Sequence, residues 1–66
     1  MKNNIRKIRK AKKLLQRDLA IGVNCSPIDI SRYESETREP DLDMAFRIAK
    51  YLNVSMEELF LPEDKP

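Results

Sequence analysis

The sequence predicts a compact all-α domain built from five short helices. Three observations support this: apolar residues recur at spacings of three and four, β-branched residues form few runs, and there is only one glycine. Apolar residues make up 41% of the chain and aromatic residues only 6%, so the core must be aliphatic. At 66 residues, we expect a single domain over residues 1–61 and a flexible tail over residues 62–66.

The first helix is expected to begin after Asn3 or Asn4 and to end at about Lys13. Either asparagine can accept a hydrogen bond from a backbone N–H of the first turn. Apolar residues spaced by three line its predicted inner face, namely Ile5, Ile8 and Ala11.

Two further helices are predicted in the stretch 16–34, separated by a tight break. The first is short and begins near Gln16, and Asn24 ends it because asparagine tolerates the left-handed backbone conformation. Ser26 and Pro27 begin the next helix, as N-cap and first helical residue. A helix, a short turn and a second helix at this spacing are typical of the DNA-binding helix-turn-helix.

Two helices complete the predicted domain. Asp41 is expected to cap the fourth helix, and Asn53 to end it. The apolar stripe of this helix is wide enough to make it the central element of the core, and comprises Leu42, Ala45, Phe46, Ile48, Ala49 and Leu52. Ser55 and Glu58 form a capping box that begins a short fifth helix over about residues 56–60.

Charge is distributed unevenly along the chain. Residues 1–17 contain eight Lys or Arg and no Asp or Glu, whereas residues 54–66 contain four acidic residues and one lysine. Such an asymmetry is typical of a surface that faces phosphates. The alternative is an ordinary solvated helix face, and the charge pattern alone favours neither.

Composition excludes several other classes of protein. With no histidine and a single cysteine, Cys25, the chain has neither a structural zinc set nor an internal disulfide. It shows no pairing of a nucleophile with a base and no glycine-rich phosphate loop, so we expect no enzyme, no cofactor and no small-molecule ligand. No apolar run approaches a membrane span and no signal-peptide pattern is present, so we expect a cytoplasmic protein.

The order and spacing of several motifs resemble those of a known family, the lambda-repressor-like, Xre-type helix-turn-helix domains of phage repressors, Cro proteins and small bacterial regulators. The resemblance extends from about Ile5 to Phe60. Its motifs are Ile5-Arg6-x-Ile8-Arg9, Leu14-x-Gln16-x-x-Leu19-Ala20, Ser26-x-x-x-Ile30-Ser31-Arg32-Tyr33-Glu34, Pro40-x-Leu42, Ile48-Ala49-x-x-Leu52 and Val54-Ser55-x-x-Glu58-Leu59-Phe60. It implies a compact five-helix domain of bacterial or phage origin, in which the second and third helices bind double-stranded DNA.

The resemblance also implies roles for individual residues. The third helix would lie in the major groove, with base contacts from Pro27, Ile28, Asp29, Ser31 and Arg32. Phosphate contacts would come from Gln16, Arg17, Ser26, Tyr33 and Arg38. Arg9 and Glu34 match a pair that forms a buried salt bridge in several members of the family.

Three of the expected base-reading residues have alternative roles. Ile28 can offer a base only apolar contact, and it could instead pack beneath the second helix or against a partner. Asp29 could accept from cytosine, or could serve only to cap its own helix. Arg32 could make a bidentate contact to guanine, or form a surface ion pair with Glu36 or Asp29. Because base readout would be sparse, DNA shape and backbone contacts should contribute substantially.

Two functions fit these patterns. The first is a sequence-specific transcriptional regulator, expected to repress by occupying a near-palindromic operator as a homodimer with half-sites one helical turn apart. Leu59, Phe60 and Leu61 are consecutive apolar residues that cannot all face one small core, so we expect at least one of them to join the dimer interface. The alternative is that Leu59 and Phe60 complete the core and Leu61 is merely exposed. The second is a protein-interaction module, such as an antitoxin or anti-regulator, that retains the fold without reading DNA. The apolar Ile28 and acidic Asp29 favour it, whereas the basic N-terminal segment opposes it.

Overall fold

The computed structural model describes residues 2–60, which form five α-helices and no β-strand. The helices are α1 (Ile5–Ala11), α2 (Gln16–Val23), α3 (Pro27–Glu34), α4 (Leu42–Leu52) and α5 (Met56–Phe60). The predicted all-α, five-helix fold is therefore confirmed. Leu61 and the predicted tail over residues 62–66 lie outside the described residues.

Helix α1 ends earlier than the sequence suggested. Its last residue is Ala11, and Lys13 then takes a left-handed conformation with φ of 61°. At its start, the Asn3 side chain accepts a hydrogen bond from the Ile5 N–H at 3.0 Å. Asn4 instead donates from its side chain to the Glu58 carbonyl at 2.9 Å and from its backbone to the Leu59 carbonyl at 2.8 Å. The start of α1 is thereby attached to α5.

Side chains bond to the backbone at the start of each of the four remaining helices. At α5 the predicted capping box is present, with the Glu58 N–H donating to the Ser55 hydroxyl at 3.0 Å and the Ser55 N–H to the Glu58 carboxylate at 2.8 Å. Ser26 and Asp29 form a reciprocal capping box at the start of α3, and Asp41 accepts a hydrogen bond from the Met44 N–H at 2.8 Å. Leu15 offers α2 no polar side chain, but the Asp18 carboxylate accepts from the Leu15 N–H at 2.8 Å. One of the backbone donors at the start of this helix is therefore satisfied from within its first turn.

One core, aliphatic except for Tyr33, unites all five helices. Helix α2 packs against both α3 and α4, while α5 packs against α4 and α1. The core consists of Ile5, Leu19, Ala20, Val23, Ile30, Tyr33, Ile48, Ala49, Leu52 and Leu59. Full burial of each leucine or isoleucine contributes about 1.5–3 kcal/mol, so this cluster fixes the relative placement of the two helices of the helix-turn-helix.

Three residues expected to face the core are exposed instead. Ala11 lies on the surface at the end of α1. Leu42 and Phe46 remain 67% and 55% exposed, respectively. The apolar stripe of α4 is wider than the surface that neighbouring helices cover, because those helices contact the side that carries Ala45, Ile48 and Leu52. The prediction that the whole apolar stripe of α4 faces the core is therefore wrong for Leu42 and Phe46.

Gly22 allows α2 and α4 to approach closely. A Cβ atom at this position would overlap the aromatic ring of Tyr51. Glycine weakens a helix by about 1 kcal/mol relative to alanine, yet here the absence of a side chain makes room for a ring from the neighbouring helix. The backbone of α2 therefore packs directly against Tyr51.

Candidate nucleic-acid interface

Helices α2 and α3 and the turn between them form the frame of the candidate site. Asn24 ends α2 with φ of 63°, and the Cys25 N–H donates to the Ala20 carbonyl at 2.9 Å. Ile30 and Tyr33 anchor α3 in the core. This anchoring leaves one side of α3 facing solvent, and the exposed residues of that helix are Pro27, Ile28, Ser31 and Arg32.

Ile28 and Arg32 are both available on this exposed side. Ile28 is 62% exposed, so it does not pack beneath α2. Within residues 2–60, no carboxylate pairs with the Arg32 guanidinium, and Glu36 instead accepts from the Asn3 N–H at 3.1 Å. The surface ion pair considered for Arg32 is therefore absent from the described part of the chain.

Asp29 is engaged through both carboxylate oxygens. One oxygen accepts from the Ser26 N–H at 3.4 Å, and the other accepts from Arg38 at 3.1 Å. Its backbone N–H donates to the Ser26 hydroxyl oxygen at 3.1 Å. Asp29 thus caps its own helix and pairs with Arg38, and each of its carboxylate oxygens retains a second lone pair that could accept from a base.

Arg38 folds back from the loop that follows α3. Its guanidinium carbon lies 5.9 Å from the centroid of the Tyr33 ring, within the range of a cation–π interaction. Burial raises the pKa of the Tyr33 phenol above its ordinary value of 10.0, although the Arg38 charge partly opposes this shift. At neutral pH, Tyr33 therefore keeps its proton and can serve as a hydrogen-bond donor.

A buried polar network ties α1, α2 and α3 together. Arg9 donates to the two carboxylate oxygens of Glu34 at 2.6 and 3.1 Å and to the Leu14 carbonyl at 2.7 Å. Both side chains of this ion pair are less than a tenth exposed. Gln16 also donates to Glu34, at 3.0 Å. The sequence motifs pointed to Arg9 and Glu34 as a pair but gave no sign that Gln16 joins them.

Other expected site residues lie around this frame. Arg17 is exposed in the first turn of α2, and Ser26 is exposed at the turn. Leu59 is fully buried in the core of its own chain, whereas Phe60 is partly buried against that core. Leu59 therefore has no exposed surface to offer a partner.

Cys25, next to the turn, is held as a thiol. Burial raises its pKa, and the nearby charge of Asp29 raises it further. Because the thiolate is the reactive form of cysteine, this environment indicates packing rather than nucleophilic chemistry.

The described residues contain no arrangement suited to a metal or a membrane. Within residues 2–60, no cluster of three or more His, Cys, Asp or Glu side chains could hold a metal ion. None of the described helices is long and apolar enough to cross a membrane. A shallow depression lies between α2 and α4, lined by Leu14, Asp18, Ile21, Gly22 and Tyr51. It lacks the convergent polar groups that fix a small ligand.

The fold and the exposed face of α3 define a helix-turn-helix protein. A family model described as helix-turn-helix matches residues 5–59. Over 64 residues, and 97% of each chain, the protein is 38% identical to an uncharacterized HTH-type transcriptional regulator of the archaeon Methanocaldococcus jannaschii. The chain therefore belongs to the helix-turn-helix family of Cro and phage-repressor type, and the resemblance stated from its motifs is confirmed.

Proposed function

We propose that the protein is a sequence-specific transcriptional regulator that inserts α3 into the major groove of a near-palindromic operator and acts as a homodimer. One arrangement carries this proposal. Ile28, Ser31 and Arg32 lie exposed on α3, and polar groups are fixed at both ends of that helix. Gln16 is hydrogen-bonded to Glu34 at its C-terminal end, and Arg38 to Asp29 near its N-terminal end.

In this proposal α3 carries the base contacts. Arg32 would form a bidentate pair with guanine, worth about 1–3 kcal/mol of discrimination against other bases. Ile28 would contact a thymine methyl group, and Ser31 would donate to or accept from a base edge. Pro27 and Asp29 would lie at the groove edge, where the capping box fixes the first turn of α3.

Phosphate contacts would position this helix on the duplex. Glu34 occupies one N–H of the Gln16 side-chain amide, and the amide has a second N–H that could donate to a phosphate. Arg38 uses one guanidinium nitrogen for Asp29, and its fork of donors allows a phosphate to be bound as well. Arg17, Ser26 and Tyr33 complete the proposed set.

Repression would follow from occupancy of a promoter, which needs no further chemistry from the protein. The archaeal relative is named as a transcriptional regulator, which supports a regulatory role without indicating its direction. Because that relative is archaeal, the expected bacterial or phage origin has no support from it. We place the protein in the cytoplasm, because archaeal and bacterial cells keep their DNA there.

Fluorescence anisotropy on a labelled random-sequence duplex tests this function. The logarithm of affinity should fall linearly with the logarithm of salt concentration, with a slope of about −0.9 for each neutralised phosphate. Selection from a random oligonucleotide pool would then give the operator. If the protein fails to bind any duplex at low salt, the proposed function is refuted.

The same assay distinguishes the proposed function from the alternative, a protein-interaction module that does not read DNA. The exposed Ile28 favours this alternative, because an apolar side chain on the reading face suits a protein partner. The basic N-terminal segment opposes it, since seven of its eight Lys and Arg side chains are exposed and only Arg9 is buried. Binding to protein without any affinity for DNA would favour the module.

A further inference from the structure

One flank of α4 is left largely uncovered by the other described residues, 2–60. Leu42 and Phe46 are four residues apart and therefore lie on the same side of the helix. They are 67% and 55% exposed, although the adjacent Ala45 and Ile48 are buried. Two large apolar side chains beside each other on a helix surface suit contact with another apolar surface.

We propose that this flank, which we call the α4 flank (Leu42 and Phe46), is where two copies of the chain meet, with their α4 helices antiparallel. This inference rests on the proposed function, since it names the surface through which the homodimer would form. In a two-fold symmetric contact, each residue of one copy meets a residue of the other reciprocally. Leu42 of each copy would lie against Phe46 of the other.

The charges on α4 favour this antiparallel arrangement. Asp41 and Asp43 lie at the N-terminal end of the helix, whereas Arg47 and Lys50 lie toward its C-terminal end, and all four are exposed. An antiparallel crossing places the acidic end of each copy beside the basic end of the other. A parallel crossing would place like charges together, which suppresses that alternative.

The existing ion pair on α4 does not prevent this contact. Asp43 and Arg47 are 3.0 Å apart in the same chain, and their side chains remain 73% and 47% exposed. Exposed pairs of this kind are weak, so Asp43 can turn toward the other copy. Arg47 also donates to the Val23 carbonyl at 3.4 Å through its other terminal nitrogen, which leaves the nitrogen that holds Asp43 able to take a carboxylate of the other copy instead. Asp43 of one copy would then face Arg47 of the other.

The size of the α4 flank determines when the dimer forms. Stable interfaces bury about 800 Å² per partner, and two apolar side chains supply only a part of that area. Free protein should therefore associate weakly. Two half-sites on one duplex would hold the copies at high effective concentration and so bring the α4 flanks together.

Sedimentation of the full chain without DNA, at concentrations that reach the millimolar range, measures this association directly. Phe46→Glu should raise the concentration needed for half association by about tenfold or more, which corresponds to about 1.4 kcal/mol. The matched control is Ile21→Glu, because Ile21 is 78% exposed on another helix and should leave association unchanged.

Charge reversal gives a sharper test. Asp43→Arg and Arg47→Asp should each abolish self-association, since each places like charges opposite one another between copies. A mixture of the two variants should associate again, because every facing pair is then opposite in sign. Mixing cannot restore an ion pair within one chain, so recovery would support a contact between copies.

Several results would overturn the proposal. These are wild-type protein that stays monomeric at every concentration, a Phe46→Glu variant that associates like wild type, and mixed charge variants that fail to associate. Coverage of the flank by residues 61–66 of the same chain would produce the first result. Anisotropy on the random duplex distinguishes the two proposals, because Phe46→Glu should keep salt-dependent binding. If the wild type does not bind the duplex, the proposed function is refuted, but the evidence from sedimentation for contact between copies still stands.

Discussion

Replacing Arg9 by methionine should destabilise the domain more than any comparable change on its surface. The Arg9 guanidinium supplies three hydrogen bonds, two to the Glu34 carboxylate and one to the Leu14 carbonyl. Methionine retains much of the apolar stem but none of the donors. Glu34, which is nearly fully buried, would keep only the Gln16 amide as its partner in this network.

The expected magnitude follows from that burial. Breaking a buried ion pair by removing one partner costs about 3–5 kcal/mol, because an uncompensated charge remains in the interior. A domain of 66 residues has a free energy of unfolding of about 3–10 kcal/mol. The single change therefore removes a large share of the total stability, and it should lower Tm by at least about 12 °C.

Thermal and urea unfolding followed by circular dichroism measure this loss. The matched control is Arg6→Met, on the exposed side of the same helix, which should change stability by less than about 0.5 kcal/mol. The double variant Arg9→Met with Glu34→Met should lose less stability than Arg9→Met alone, because no buried charge remains. If the single variant melts within a few degrees of wild type, as the control should, the reasoning from burial is wrong.

Three further predictions concern single positions. Arg32→Ala should abolish preference for a selected operator while leaving the melting curve and random-duplex binding nearly unchanged; retained preference would mean that another residue reads the bases. Gly22→Ala should lower Tm despite its gain in helix propensity, because the added methyl overlaps Tyr51, and adding Tyr51→Ala should recover part of that loss. Tyr33 has a pKa raised in the folded state, so its contribution to stability is present below pH 10.0 and is lost as pH rises through the folded pKa. Thermal melts at alkaline pH should therefore show a smaller loss for Tyr33→Phe than for wild type, and equal losses would contradict the assigned shift.

Four helix ends were predictable because capping is local, whereas α1 ends before the predicted Lys13. Asn24 and Asn53 end their helices in the left-handed conformation, and Ser26 and Asp41 accept hydrogen bonds from backbone groups three residues later. In each case a side chain acts on its own backbone within one turn, so the sequence contains the whole interaction.

The candidate site was less predictable, because its hydrogen bonds join residues distant in sequence. The sequence left Asp29 with two open roles, and the structure gives it the capping role together with an ion pair to Arg38. Gln16 meets Glu34 only because α2 and α3 pack at a particular angle. Contacts across 9 and 18 positions depend on that packing, which no local pattern encodes.

By itself, the sequence determined the number of helices, the caps of α3, α4 and α5, the turn of the helix-turn-helix and the family motifs. These depend on backbone conformations and apolar spacings that act within a few residues. Only the tertiary structure decided which apolar residues have neighbours, leaving Leu42 and Phe46 exposed while burying Leu59. The physical reason is that the spacing of apolar residues shows which of them share one side of a helix, whereas their burial depends on which sides the other helices cover.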